Sequence, residues 1–236
     1  MTTYKSYQAS QTLSRGLDWG KLELFYSFIP SLFWLVFYFP LKIIFNLFFH
    51  LKIESKEDLR KLQGSLVIAS SHASWIDPFL IGIAFPFGAR VFPIHYATLW
   101  KYYYFPLFTP LIWLFGGFPI RKGIGLDKTL AIPVKILKLG GVVGIFPSGK
   151  RIRKWNESEM PRAKRGVVFL SLKSRSPILP VKIEGSIGMK FSQFLLGKYK
   201  IKIKIGKKFY LPLENLERLE KLNSSADYVM HKIVSL

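Results

Sequence analysis

A long apolar segment near the start of the chain restricts its fold more than any other feature of the sequence. Residues 24–51 read LFYSFIPSLFWLVFYFPLKIIFNLFFHL, with a single Lys and no acidic residue. The uncharged part, residues 24–41, is close to the shortest length of helix that can span a bilayer. Pro30 and Pro40 should kink or break a helix that passes through them.

The prolines predict that this segment folds back on itself. A break at residues 40–42 would leave two helical arms of about 10 to 15 residues, each too short at ~1.5 Å per residue to cross ~30 Å of hydrocarbon. We therefore expect a re-entrant or interfacial helical hairpin, with one kinked transmembrane helix or a buried core helix as the alternatives. The aromatic side chains are typical of the lipid–water boundary, and the segment lacks the cleavage site of a signal peptide. We assign residues 1–54 to a polar N-terminus and this membrane anchor.

The charge of the chain indicates an anionic partner. Its 236 residues include 35 Lys and Arg against 14 Asp and Glu, a formal net charge of +21. Nucleic acid, acidic lipid headgroups and phosphorylated substrates are the ligand classes that such a charge attracts. The membrane anchor favours lipid, since each Lys or Arg near an anionic leaflet contributes about 1 kcal/mol. The absence of Cys excludes disulfides, a thiol nucleophile and Cys-based zinc sites.

Short apolar runs rich in β-forming residues alternate with helical patterns over the rest of the chain. The predicted strands cover residues 65–72, 91–97, 116–120, 141–147, 176–183 and 200–205. The predicted helices cover residues 78–84, 126–139, 163–174, 215–222 and 226–234. In the last strand, KIKIKI, the Ile side chains face one way and the Lys side chains the other, which suits a strand near a sheet edge. We predict an α/β fold with a mixed, largely parallel sheet flanked by helices.

A histidine and a carboxylate five residues apart carry the first candidate chemistry. In SHASWIDP, residues 71–78, His72 follows a predicted strand, and Asp77 before a Pro is a helix start signal. The loop is short enough to bring the carboxylate back to the imidazole, where it would orient the ring and leave the other nitrogen to take a proton from a hydroxyl. The alternative is that Asp77 only caps the helix. Because the chain has no Cys and no G-x-S-x-G, we expect the substrate to supply the reacting hydroxyl.

Other histidines lack this setting. His231 lies four residues after an acid on one face of the last predicted helix, where a surface contact is expected, and His95 has no acid nearby. His72 differs because it follows a strand at the carboxyl edge of an α/β sheet, where ligands tend to bind.

The stretch GIFPSGKR, residues 144–151, has two interpretations. The spacing of its two Gly residues and its Lys matches a Walker A loop. Such a loop needs Ser or Thr after the Lys to hold Mg²⁺, and consecutive backbone N–H groups around the phosphate. Arg151 stands where the hydroxyl is needed, and Pro147 removes one N–H group. We therefore interpret the stretch as a strand that leads into a basic turn.

Four sequence blocks follow one another along the chain: H-x-x-x-x-D from His72 to Asp77, GGFPIRKG at 116–123, FPSGKR at 146–151 and ILPVKIEG at 178–185. Through these blocks, residues 65–209 resemble the glycerolipid acyltransferases typified by 1-acylglycerol-3-phosphate acyltransferases. The resemblance implies that His72 and Asp77 are catalytic. It also implies a set of substrate-binding residues, namely Arg121, Lys122, Phe146, Pro147, Ser148, Gly149, Lys150, Arg151 and Pro180.

Ser148 departs from the pattern of the family, which usually has Glu at this place, and Lys150 replaces the usual Thr. The two differences remove a carboxylate and add a cation, so the pocket is expected to be more positive. We expect phosphate binding by Arg121, Arg151 and either Lys150 or Lys122 to persist. Recognition of the glycerol part of the acceptor, or the rate of turnover, is expected to change.

The resemblance implies that residues 55–236 form a membrane-associated O-acyltransferase. The acyl group would move from acyl-CoA or acyl carrier protein to a lysophospholipid, chiefly lysophosphatidic acid, with no cofactor and no metal. Anionic membrane lipids are a further expected partner, and the catalytic domain is expected on the cytoplasmic side of the membrane. One alternative is a non-catalytic or altered-acceptor lipid-binding relative, suggested by Ser148. The other is a basic nucleic-acid binder, suggested by the runs KRIRK and RAKR; no aromatic–basic RNA motif accompanies them, so no nucleic acid is expected.

Overall fold

The computed structural model describes residues 27–99, 109–121, 123–152, 162–189, 199–212 and 219–236, and these residues form one seven-stranded sheet with helices on both faces. The strands are β1 Lys52–Ser55, β2 Leu66–Ser70, β3 Ile94–Leu99, β4 Gly117–Ile120, β5 Val142–Ile145, β6 Ile178–Glu184 and β7 Lys202–Ile205. Their order across the sheet is β1-β7-β6-β2-β5-β3-β4. Neighbouring strands run parallel except β6 and β7, which are antiparallel. The prediction of a mixed, largely parallel sheet is confirmed.

Two apolar cores form because the strands send alternate side chains to opposite faces of the sheet. All five residues of β2 are buried. Leu66 and Ile68 belong to the first core, whereas Val67 and Ala69 belong to the second. A continuous apolar run of this kind is typical of a parallel strand that is covered on both faces. It places the carboxyl end of β2, and the loop that follows it, at the middle of the sheet.

The helices divide between the two cores. They are α1 Ile29–Phe49, α2 Asp77–Ala84, α3 Thr109–Leu114, α4 Leu126–Thr129, α5 Ala131–Lys138, α6 Gly166–Ser174 and α7 Leu219–Val234. Side chains of α1 and α2 enter the first core, and those of α5, α6 and α7 enter the second. The single helix predicted at 126–139 is divided at Leu130 into α4 and α5.

The two helices predicted at 215–222 and 226–234 are replaced by the single helix α7, which is continuous from Leu219 to Val234. Residues 213–218 lie outside the described ranges. No break occurs at the polar residues between the two predicted helices because a buried stripe at helical spacing continues from Leu222 through Ala226 to Ile233.

The strand β1 is not predicted by the sequence analysis, because its four residues show too little apolar pattern to be distinguished from a loop. It pairs in parallel with β7 along its whole length. As predicted for KIKIKI, the Ile side chains of β7 are buried, while Lys202 and Lys204 form ion pairs with Glu54 and Glu184 on the other face. The boundary after residue 54 falls inside β1, and the division into an anchor and a second domain stays a prediction.

The apolar segment forms one continuous helix, α1, so the predicted break at residues 40–42 is wrong. Pro40 lies inside the helix, and Pro30 lies in the first turn, where it is tolerated. The physical reason is packing on both sides of Pro40. Trp34 and Tyr38 precede it and Phe45 and Phe49 follow it on one buried stripe, so tertiary contacts hold both halves of the helix against the same core.

The opposite side of α1 is apolar and exposed. Leu35, Ile43 and Leu47 are 56%, 64% and 66% exposed, and further large apolar side chains lie between them. With 21 residues, α1 is long and apolar enough to cross a membrane by length and composition, and it is the one such helix in the part of the chain that the structure describes. It is therefore a candidate anchor whose other stripe packs on the domain.

Candidate active site

The loop between β2 and α2 brings His72 and Asp77 into contact, as the spacing predicts. His72 Nδ1 lies 2.9 Å from Asp77 Oδ2. The same oxygen accepts hydrogen bonds from the backbone N–H groups of Ala73 at 2.7 Å and Ser74 at 2.8 Å. The Asp77 side chain is fully buried, and that of His72 is 18% exposed. The carboxylate is thus fixed by its own loop and presents one oxygen to the imidazole.

Asp77 does more than begin the helix. It lies in the first turn of α2, with Pro78 after it, and the N-cap position is occupied by Ile76. No side chain caps α2, because the carboxylate turns back to the loop instead. Since a carboxylate accepts hydrogen bonds, Nδ1 of His72 carries the hydrogen, and Nε2 is the nitrogen that can face a substrate hydroxyl.

The start of the same loop is attached to β6. Ser71 N–H donates to Val181 O at 3.1 Å, and Ser71 Oγ accepts a hydrogen bond from Ile183 N–H at 2.8 Å. These bonds continue the pairing of β2 with β6 beyond the last residue of β2. His72 is therefore held from two directions. The residue before it, Ser71, is bonded to β6, and the residue after it, Ala73, is bonded to the Asp77 carboxylate.

The turn that follows β5 lies against His72. The rings of His72 and Phe146 are stacked, with centroids 4.0 Å apart and planes 17° apart. Ile152 N–H donates to the backbone oxygen of His72 at 2.7 Å. The two segments meet because β2 and β5 are parallel neighbours, so their carboxyl ends lie at one edge of the sheet.

Short-range hydrogen bonds hold the turn that follows β5 in shape. Gly149 N–H donates to Phe146 O at 2.9 Å, and the positive φ of 64° at Gly149 favours glycine there. Ser148 is 5% exposed, and its Oγ donates to Lys150 O at 2.8 Å. Pro147 is also buried, and its carbonyl accepts Lys164 N–H at 2.7 Å. The Ser148 hydroxyl is therefore engaged in its own turn.

The basic residues of this edge are exposed. Lys150 and Arg151 are exposed in the turn after β5, as is Gly149 before them, and Arg121 is exposed directly after β4. Since β4 is joined to β5 through β3, and all three run parallel, these positions share the carboxyl edge of the sheet. Lys122 lies outside the described residues. Binding of substrate by these residues stays a prediction.

Pro180 has a different setting from the other predicted binding residues. It is buried inside β6, in register with Ala69 of β2. Its carbonyl accepts Gly206 N–H at 2.9 Å, and a Cβ at position 206 would come within 2.8 Å of the proline ring. Pro180 thus contributes to the packing of the sheet, and its predicted part in substrate binding remains untested.

An apolar cavity of about 200 Å³ opens beside the His72 loop. It lies between α1, the loop, α2 and the segment after β6, and all of its lining residues are apolar: Leu41, Ile44, Phe45, Phe49, Trp75, Ile76, Phe79 and Met189. Trp75 and Ile76 are themselves residues of the loop that joins His72 to Asp77. The cavity therefore adjoins the segment that holds the imidazole.

Two neighbouring residues of β3 have shifted pKa values for different reasons. Burial, with a smaller contribution from the charge of Asp77, raises the pKa of Tyr96, whose hydroxyl donates to Pro78 O at 3.2 Å. Burial lowers the pKa of His95 to about 4, against an opposing backbone hydrogen bond with Gly116. Tyr96 belongs to the first core, and the alternation of β3 directs His95 toward the other face, away from the His72 loop.

Within the described ranges, no group of three or more His, Asp or Glu side chains is placed to hold a metal ion. The side chains gathered at the sheet edge are an imidazole, a carboxylate that orients it, and exposed cations. This arrangement can accept a proton and attract an anion.

A family model described as Acyltransferase matches residues 50–184, more than half of the chain. The chain belongs to the acyltransferase family. This acyltransferase is 28% identical over 197 residues to the 1-acyl-sn-glycerol-3-phosphate acyltransferase of Bacillus subtilis (strain 168), an alignment that covers 83% of this chain and 92% of that protein. Its fold matches the crystal structure of the 1-acyl-sn-glycerophosphate (LPA) acyltransferase from Thermotoga maritima with a TM-score of 0.59 at 19% identity, over 84% of this chain and 78% of that one. The predicted family and the prediction of an acyltransferase enzyme are confirmed.

Some features of the candidate site have no signal in the sequence. Three contacts depend on which strands are neighbours. They are the stack of Phe146 on His72, the stack of Tyr96 on Phe146, and the hydrogen bond from Ile152 N–H to the backbone oxygen of His72. The apolar cavity depends on the position of α1. The family block FPSGKR identifies the segment but not that its aromatic ring lies on the histidine.

Proposed function

We propose that this acyltransferase moves an acyl group from the thioester of acyl-CoA or acyl carrier protein to the free hydroxyl of a lysophospholipid, chiefly lysophosphatidic acid. The observation that carries the proposal is the His72–Asp77 contact of 2.9 Å at the carboxyl edge of the sheet. The relatives named above support the acceptor, since both are acyltransferases of 1-acylated glycerophosphates by name.

In the proposed reaction, the oxygen of the acceptor hydroxyl attacks the thioester carbonyl while His72 Nε2 accepts the proton of that hydroxyl. The C–S bond then breaks, and the leaving thiolate receives the proton from the imidazolium. The products are an ester and a free thiol. Asp77 orients the imidazole and stabilises the charge that His72 carries between these steps. No covalent intermediate with the protein is required.

The acceptor phosphate is proposed to bind the exposed cations at the same edge. Arg121, Lys150 and Arg151 are the described candidates, and Lys122 is a further one from the sequence. Arg can bind a phosphate through two parallel hydrogen bonds, whereas Lys acts as a point charge. We propose that Ser148 does not contact the acceptor directly, because its hydroxyl is engaged with Lys150 O.

The apolar cavity is proposed to hold an acyl chain. Its lining has no charged side chain, and Trp75 and Ile76 bring it next to His72. An acyl chain in this cavity would gain about 0.8 kcal/mol for each buried CH₂ group. That binding energy would hold the thioester near the imidazole.

The exposed side of α1 is proposed to lie in the membrane interface. Its apolar residues would be unfavourable in water, whereas its other stripe is already packed on the domain. Lys42 donates to the Tyr38 hydroxyl at 3.0 Å. Anionic lipids would add to binding through the net charge of +21. We propose that the domain faces the cytoplasm, where acyl thioesters are available.

Labelled acyl thioesters and a panel of lyso-acceptors test this function. The purified protein in mixed micelles of detergent and anionic lipid is given acyl-CoA or acyl carrier protein as donor, and lysophosphatidic acid or other lysophospholipids as acceptor. We expect esterified product, with the highest kcat/KM for lysophosphatidic acid. Absence of product with both donors and all acceptors, from protein that binds the micelles, would contradict the proposal.

Ser148→Glu in the same panel tests the departure from the family. A change in acceptor preference or in rate would show that position 148 adjusts the acceptor site. An unchanged preference and an unchanged rate would remove that importance.

A further inference from the structure

We propose that Phe146 is a positioning residue for His72. The Phe146 ring keeps the imidazole in the plane in which it accepts the proton, and it stabilises the imidazolium that forms. This inference rests on the proposed function, in which His72 is the base. The resemblance assigns Phe146 to substrate binding, but its ring lies on the face of the imidazole at a centroid distance of 4.0 Å and an angle of 17°.

The Asp77 carboxylate by itself leaves one motion of the ring open. The hydrogen bond at 2.9 Å holds Nδ1 but tolerates small rotations of the imidazole about its Cβ–Cγ bond. A flat ring at stacking distance on one face limits that rotation. Because the lone pair of Nε2 lies in the plane of the imidazole, Phe146 determines the direction in which Nε2 meets the substrate hydroxyl.

The contact also changes in strength during the reaction. An aromatic face attracts a cation that lies within about 6 Å of its centroid. The imidazole of His72 is neutral before it takes the proton and positive afterwards, so the attraction to Phe146 appears together with the charge. An interaction that is stronger near the transition state than in the ground state raises kcat.

Phe146 is itself supported by a second aromatic ring. The ring of Tyr96 is parallel to that of Phe146, with centroids 6.0 Å apart and planes 15° apart. A Cβ at position 144 would collide with the Tyr96 ring, so Gly144 makes room for it. The Tyr96 hydroxyl donates to Pro78 O, and Pro78 directly follows Asp77. The two groups that hold His72 are therefore joined through Tyr96.

Phe146→Leu and Phe146→Tyr separate positioning from substrate binding. Leu keeps an apolar side chain but removes the aromatic face, whereas Tyr keeps the face. We expect Phe146→Leu to lower kcat about 3- to 30-fold, the range that a cation–π contact supplies. The KM values for donor and acceptor should change less than about twofold, and the acid limb of the kcat/KM pH profile should move to lower pH. Phe146→Tyr should stay within about threefold of the unmodified enzyme.

Phe209→Leu is the matched control. Phe209 is also partly exposed and contacts an aromatic ring, Tyr228, but it pairs with Ile178 at the amino end of β6, opposite the His72 edge. It should leave kcat and the pH profile unchanged. Circular dichroism and thermal unfolding check that each variant is folded.

Two kinetic results would overturn the proposal: a Phe146→Leu enzyme with unchanged kcat and pH profile, or one with a raised acceptor KM alone, which indicates substrate binding. A measurement without turnover keeps this outcome distinct from a failure of the proposed function. The mobility of the His72 ring, read by NMR relaxation of histidine-labelled protein, should be higher in Phe146→Leu than in the unmodified protein and unchanged in Phe146→Tyr. Equal ring mobility in Phe146→Leu and the unmodified protein would refute the positioning even if no acyl transfer is found.

Discussion

His95 gives the stability of this acyltransferase a dependence on pH that follows from its surroundings. The side chain is 1% exposed on β3, and burial lowers its pKa from the ordinary value of 6.5 to about 4. Nδ1 is buried without a hydrogen-bond partner among the described residues. The folded chain therefore favours the neutral ring, whereas the unfolded chain binds a proton at a higher pH.

The sign and size of the effect follow from these two pKa values. The stabilisation is fully present above pH 6.5 and is lost as the pH falls toward 4, because only the unfolded state gains a proton in that window. The complete loss is about 3 kcal/mol, and at pH 5 about 2 kcal/mol of it should already have gone. This is a large part of the stability of a typical domain.

Denaturant unfolding in mixed micelles, followed by tryptophan fluorescence between pH 7.5 and pH 4.5, measures the effect. His95→Gln removes the titrating group, and His231→Gln, at an exposed position of α7, is the matched control. Between pH 7.5 and pH 5, the free energy of unfolding should fall by about 2 kcal/mol less in His95→Gln than in the unmodified protein. This difference should hold whatever the stability of His95→Gln at pH 7.5. Equal pH dependence in His95→Gln and the unmodified protein would refute this reasoning.

Three further variants test other parts of the site. Asp77→Asn should keep the fold but lower kcat about 10³-fold or more, since an amide no longer selects the ring nitrogen that carries the hydrogen; a loss below about tenfold would contradict the role of Asp77. Leu47→Asp should weaken binding to anionic vesicles about tenfold or more. The control is Leu139→Asp, which should not weaken it: Leu139 is as exposed as Leu47, at 66%, but it lies beyond the end of α5. Equal effects of the two variants on sedimentation with vesicles would exclude α1 as the membrane face. Met189→Trp should fill the cavity and lower kcat/KM for long-chain donors about tenfold relative to short-chain donors, and an unchanged chain-length profile would place the acyl chain elsewhere.

The sheet could be predicted because its strands are defined by local pattern. The run at β2 is apolar from Leu66 to Ala69, which is typical of a strand covered on both faces, and the parallel direction of the strands follows from the helices that connect them. The alternation at β7 separates buried Ile from paired Lys in the same way. The contact of His72 with Asp77 was also predictable, because the two residues are five apart, with one short loop between β2 and α2.

The rest depended on contacts between distant segments. Pro40 indicates a break, but packing of Trp34 and Phe45 on the same core keeps α1 continuous. The stack of Tyr96 on Phe146 exists because β3 and β5 are neighbours, and no spacing within the sequence reports that. The hydrogen bond of Ser148 Oγ with Lys150 O is local, but a serine in a turn has several backbone groups within reach, so the sequence does not indicate which of them it bonds.

The central claim is that His72 takes the proton of the acceptor hydroxyl. The most direct measurement is the single-turnover rate of labelled acyl transfer to lysophosphatidic acid by His72→Ala, beside His231→Ala, in the same micelles with equal binding of acceptor. We predict a rate about 10²- to 10⁴-fold below that of the unmodified enzyme for His72→Ala, and an unchanged rate for His231→Ala. Acyl transfer by folded His72→Ala at a rate close to that of the unmodified enzyme would contradict the account.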